Sequence, residues 1–161
     1  MSTFPRPADV ELLGLTFEAD HRTAHFELVP EVARHDGALY GGTAIAASIA
    51  VMEGVTGRSS LWVTTQYVAT AKLGDVIECQ ADVLAEGRNI TQVQVTGRLG
   101  TQVLFVSVGS TATPREDGLE GQYQDMPQVS QPEDTVPMVL GPPRPDGFRG
   151  FTAQVEYRLA E

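Results

Sequence analysis

The residues with most chemical potential sit in one short stretch, His35-Asp36-Gly37-Ala38-Leu39-Tyr40-Gly41-Gly42, which runs on into TAIAASIAVMEG. Gly41 and Gly42 stand where a helix begins. Glycine lets the backbone approach a ligand with no β-carbon in the way. The first N–H groups of a helix lack partners within it and lie at the positive end of its dipole. These are the parts of an oxyanion hole, with donors aimed at a carbonyl oxygen that gains negative charge. The same pair would equally serve a helix that only packs tightly on a sheet. Two carboxylates are candidates for a general base: Asp36 before the helix and Glu53 within it. His35 could face the same place. Ser48 and Ser59 have no histidine at a nucleophile-activating spacing. His21 and His25 have no metal-ligand partners beside them. No CxxC, Walker or dinucleotide fingerprint occurs, so neither metal nor cofactor is expected.

The elements that must hold these residues follow from periodicity. Residues 15 to 29 suggest two short strands joined near Asp20-His21-Arg22. A helix is expected over about 41 to 56. It is apolar or small on nearly every side (Ala44, Ile45, Ala46, Ala47, Ile49, Ala50, Val51, Met52), so it should be wrapped rather than lie on a surface. Residues 61 to 69 are rich in β-branched and aromatic side chains. Residues 76 to 86 alternate, with Ile77, Cys79, Ala81 and Val83 on one face, which makes Cys79 a core residue. Residues 90 to 99 alternate again, and 103 to 113 form a mostly apolar strand. Turns every ten or twelve residues favour an antiparallel meander of these four strands. From 114 to 149 periodicity is lost, and seven of the ten prolines fall there. That is a linker or strap. Residues 151 to 158, FTAQVEYR, alternate once more as a strand.

The totals exclude several classes of partner. The chain has 161 residues, 42% of them hydrophobic, enough for one ordinary core. Its 11 basic and 21 acidic residues give a net charge of −10. That argues against nucleic acid or an anionic membrane as the main partner. A small anion can still be met by a local group of arginines. One cysteine allows no intrachain disulfide. The opening MSTFPRPADVELLG lacks the apolar core of a signal peptide, and a cytosolic location is expected.

One helix followed by four long antiparallel strands has a good solution in a sheet curled around the helix, an α+β hotdog fold. The strings LYGGTAIAAS, LWVTTQYVATAKLGDVIECQADVLAEGRNITQVQV and VLFVSVGSTATP resemble the first hotdog of the type II (TesB-like) acyl-CoA thioesterases. QYQDMPQVSQPEDT is similar to the MP-x-V-x-x-PE linker that joins that hotdog to a second one. The resemblance runs from about 35 to 135. It implies hydrolysis of acyl-CoA to free acid and CoA, with Gly41 and Gly42 as the oxyanion hole and the alanine-rich helix as a wall of the acyl tunnel. Tyr40 and Gln66 would contact substrate, and Gln66, Thr64 and Thr65 are candidates to line the acyl channel, although strand alternation keeps Thr65 off the face the other two share. Arg58 and Arg88, with Arg98, could reach the CoA phosphates.

The chain departs from that family's catalytic pattern. Ile49 stands where the second hotdog carries its helix aspartate, and Ser110 falls near its glutamine. The resemblance therefore implies three parts: a hotdog over 1–113, a linker or strap over 114–149, and a C-terminal strand over 150–161 that opens or docks onto a second hotdog. Catalytic carboxylates would come from that second hotdog or from another copy of the chain. Two alternatives stay open. One is a non-catalytic subunit that binds acyl-CoA or only supports a complex. The other is an enoyl-CoA hydratase, although no Asp/His pair surrounds the helix.

Overall fold

A computed structural model describes residues 4–114, 121–138, 148 and 150–159. Part of the expected linker, with Pro142, Pro143 and Pro145, lies outside the described residues, as do Ala160 and Glu161 of the C-terminal part. The long helix, α2, spans Gly41–Thr56 and follows a short helix, α1, over Pro7–Leu13. Strands β1 (Thr16–Phe17) and β2 (Thr23–Glu27) precede α2. After it come β3 (Ser59–Tyr67), β4 (Val76–Glu86), β5 (Ile90–Leu99) and β6 (Gln102–Ala112). All six strands form one antiparallel sheet in the order β1-β2-β4-β5-β6-β3.

The sheet face with Ile77, Cys79, Ala81, Val93, Val95 and Phe105 is buried. It packs against Ala44, Ala47, Ala50, Val51 and Met52 of α2 in one core. Small residues set the approach. A β-carbon on Gly109 would lie 3.0 Å from the Met52 sulfur and 2.6 Å from the Trp62 carbonyl oxygen. Cys79 is part of this core, and burial pushes its thiol up to about 12.

Three expectations are corrected. The four strands are not a simple meander, because β3 pairs with β6 and not with β4. Both edges of β4 are already taken, by β2 (Ala24 opposite Cys79) and by β5 (Ala81 opposite Val95). Of β4, β5 and β6, only β6 keeps an edge for β3, so β3 crosses over to it and leaves its own outer edge open. Second, α2 is not wrapped on all sides. The sheet buries one side, while Gly41, Gly42, Ile45, Ala46 and Ile49 stay half-buried as a stripe at i, i+4 spacing.

Third, the 151–158 stretch is not one strand. Gly150–Gln154 make a 3-10 turn, and only Tyr157–Arg158 extend, as β8, beside β7 at Pro137–Met138. The turn is fixed from outside. Gly150 takes φ +61 where a β-carbon would lie 2.5 Å from the Ala33 carbonyl oxygen, and the Phe151 N–H donates to the Ala33 carbonyl at 2.7 Å.

Gly97 on β5 tests the core most sharply. A β-carbon there would fall 2.1 Å from the ring of buried Phe105, opposite it on β6. Gly97→Ala is expected to destabilise the chain by about 2 kcal/mol, and Phe105→Leu should recover part of that loss in the double variant. Urea unfolding of the three variants checks both statements.

Candidate active site at the head of the central helix

Tyr40 is the extended N-cap of α2, and no side chain caps the helix. The first N–H that turns back into the helix is that of Ala44, to the Tyr40 carbonyl at 3.2 Å. The N–H groups of Gly41, Gly42 and Thr43 precede it and are the orphan donors of the helix start. Thr43 does not cap them, because its hydroxyl donates to the Val32 carbonyl at 2.6 Å. That bond anchors the head of the helix to the loop before it.

Two tyrosines frame the glycines. The Tyr67 hydroxyl, at the end of β3, donates to the Gly41 carbonyl at 2.9 Å. A β-carbon on Gly41 would lie 2.9 Å from that same oxygen. On the other side, a β-carbon on Gly42 would fall 2.4 Å from a ring carbon of Tyr40. The Tyr40 ring stacks on Phe151, with centroids 4.8 Å apart at 18°. Burial, and secondarily the neighbouring Tyr40, hold the Tyr67 phenol above its ordinary range. Tyr67 therefore stays a neutral donor at physiological pH. Both positions admit only glycine without displacing a tyrosine, so the glycines allow close approach here and not merely a turn.

The candidate bases are engaged by other groups. Asp36 accepts from the Arg34 guanidinium and from the Ala38 N–H at 3.2 Å. Those bonds hold its carboxyl below the usual range, and they hold the Arg34–Gly37 turn. Glu53 is twelve residues past Gly41, about 18 Å along the helix axis. It is 3% exposed and accepts the Ser60 N–H at 2.9 Å, which fixes the start of β3. His35 is exposed in the loop. Ile49 stands half-buried on α2, and buried Ser110 donates to the Gln92 side chain at 2.9 Å.

The structure brings Arg58 and Arg88 together, but at the far end of α2 from Gly41. Arg58 donates to the Thr91 hydroxyl at 2.8 Å and to the Gly87 and Arg88 carbonyls at 3.0 and 3.4 Å. It pins the β4–β5 hairpin to the end of the helix. Gln66 and Thr64 are exposed, while Thr65 alternates with them and turns inward, where it meets Ser107 at 2.8 Å. Among the described residues no group of three or more His, Cys, Asp or Glu side chains could hold a metal ion.

Solved structures share this fold. A candidate thioesterase from Novosphingobium aromaticivorans superposes with a TM-score of 0.81 at 26% identity, over 91% of this chain and 58% of that one. A protein of unknown function with a hotdog fold, from Alicyclobacillus acidocaldarius, gives 0.71 at 20% identity, over 84% and 50%. The chain is a hotdog protein. A third match, from Streptococcus mutans, was solved bound to acetyl-CoA and gives 0.57 at 20% identity, over 62% and 85%. The chain thus spans little more than half the length of the Novosphingobium protein. No protein-family model and no curated protein matches the sequence. Among the described residues no helix is long and apolar enough to cross a membrane.

Tyr67 and Phe151 were not evident from the sequence as residues of this site. Tyr67 lies 26 positions beyond Gly41 and Phe151 lies 111 beyond Tyr40, and no local pattern links either pair. Gly42→Ala should expel the Tyr40 ring from its place against Phe151. The check is the Tyr40 ring proton shifts, which should move toward solvent values in Gly42→Ala and stay put in Gly54→Ala.

Proposed function

We propose that this chain is the glycine-bearing hotdog of a TesB-like acyl-CoA thioesterase, completed by a second hotdog. The observation that carries the proposal is the head of α2. There, unpartnered N–H groups at Gly41 and Gly42, framed by Tyr40 and Tyr67, open beside the half-buried apolar stripe of Ile45, Ala46 and Ile49. The N–H groups suit a thioester carbonyl and the stripe suits the acyl chain beside it. The Novosphingobium and Streptococcus structures support a thioester and a CoA ligand respectively.

In this proposal water attacks the carbonyl carbon while a carboxylate takes one of its protons. The oxyanion that forms rests against the glycine N–H groups. Collapse breaks the carbon–sulfur bond, and the CoA thiolate leaves and receives the proton. The carboxylate comes from the second hotdog, because Asp36 is engaged in its turn and Glu53 lies buried far along the helix. The open edge of β3 is where that second hotdog joins. It is nine residues long and presents Leu61 and Trp62, 58% and 49% exposed, with Tyr67 and Val68 beyond them. Such an edge is normally paired or covered. A second copy of this chain or a different hotdog would fit it.

The absence of a carboxylate at Ile49 favours one further reading, a binding subunit that takes up acyl-CoA without hydrolysing it. Acyl-CoA hydrolysis on protein whose oligomeric state is fixed by light scattering tests both. The chain alone is expected to bind acyl-CoA and turn it over poorly, with Asp36→Asn and Glu53→Gln unchanged. Robust turnover lost in either variant would locate the base in this chain. Failure to bind any acyl-CoA would end both readings.

A further inference from the structure

A chain of hydroxyls crosses the core from α2 to the open edge of the sheet. Ser48 donates to the Ala44 carbonyl at 2.8 Å. Ser48 and Ser107 oxygens are 2.8 Å apart, and so are those of Ser107 and Thr65. Ser48 and Ser107 are fully buried, and Thr65 is half-buried on the side of β3 that faces α2.

Each hydroxyl has one proton, so the direction of the chain is determined. The Ser48 proton is spent on a carbonyl, which can only accept. Ser107 must then donate to Ser48. With its proton used, Ser107 can only accept from Thr65. The Thr65 proton therefore points inward, and its lone pairs face the half-open side. Thr65 behaves there as an acceptor only.

We infer that Thr65 is a specificity residue that accepts the amide N–H nearest the sulfur in the pantetheine arm of the substrate. This rests on the thioesterase reading above and applies equally to CoA and to acyl carrier protein, which share that arm. Thr65 and Tyr67 share a face of β3 and are about 7 Å apart, and Tyr67 touches Gly41. With the thioester carbonyl at the glycines, that amide nitrogen lies four bonds from the carbonyl carbon, roughly 5 Å in an extended arm. Thr65 stands one strand repeat from Tyr67 on the same face, so its oxygen lies along the path the arm takes from the glycines. An attacking water must come within about 3–3.5 Å of the same carbon. Thr65 meets Ser107 alone among the described hydroxyl and carboxylate partners, so no base stands at Thr65 to activate such a water.

Two probes separate the possibilities: octanoyl-pantetheine, and its analogue with an ester oxygen in place of that one amide N–H. Calorimetry should show the wild-type chain binding the amide about tenfold more tightly than the ester. Thr65→Val should abolish the preference, and Thr65→Ser should restore it. Ser107→Ala, which lets the Thr65 proton turn outward, should weaken the preference while both ligands still bind. Equal affinity of the wild type for both probes would overturn the inference and leave the thioesterase reading standing. An unchanged preference in Thr65→Val would do the same. A Thr65→Val loss that is identical for both probes would reveal a role in packing alone. Binding of neither probe by the wild type would instead bring down the thioesterase reading itself.

Discussion

The structure depends on covering one apolar helix. α2 has too many alanines and aliphatic residues to face water, and a six-stranded sheet can bury only the side it packs against. Ala44, Ala47 and Ala50 keep the helix thin there. Gly109 and Gly97 keep the sheet thin opposite Met52 and beneath Phe105. The contact is close because side chains have been removed from both partners, and the dispersion and burial gained are those of a dense interior. What remains is a stripe of α2 and an unpaired edge of β3, side by side. The molecule has spent its covering elements and still shows one seam.

The polar groups respect the same seam. Helix N–H groups that cannot be satisfied internally emerge at its head, held in place by Thr43, Tyr40 and Tyr67. The buried hydroxyls of Ser48 and Ser107 are tied to Thr65 in a chain that ends at the edge strand and not in the core. Glu53, a buried ionisable group in the last turns of the helix, is used to fix the start of that same strand. Polar groups with no role in cohesion would cost stability in such a place. Each of these either anchors α2 to the sheet or presents a hydrogen-bonding group along the seam.

Much of this was legible in the sequence because it is local. The extents of α2, β4 and β5 follow from periodicity, and the alternation of Ile77, Cys79 and Ala81 fixes which face of β4 is inside. The Gly-Gly pair signalled the head of the helix. α1 escaped notice because it is only seven residues, although Pro7 at its start and Gly14 at its end are the usual signals. The strand at 151–158 was misjudged because alternation over a few residues says nothing about a distant carbonyl, here that of Ala33, which turns the chain. The place of β3 depends on which strand edges are already occupied, a question local patterning does not pose. The same reason hid Tyr67 and Phe151, whose roles arise from contacts made across the fold. The residue types of Asp36 and Glu53 were visible in the sequence, while the hydrogen bonds that engage them were not.

The central claim is that the seam is closed by a second hotdog joined along β3. Hydrogen exchange at the β3 amides that point away from β6 tests it most directly. These amides should be protected at concentrations where light scattering shows association, and should lose that protection on dilution to the single chain. Exchange at the rate of a free edge in the associated state would contradict the claim, and the partner would have to sit elsewhere on the molecule.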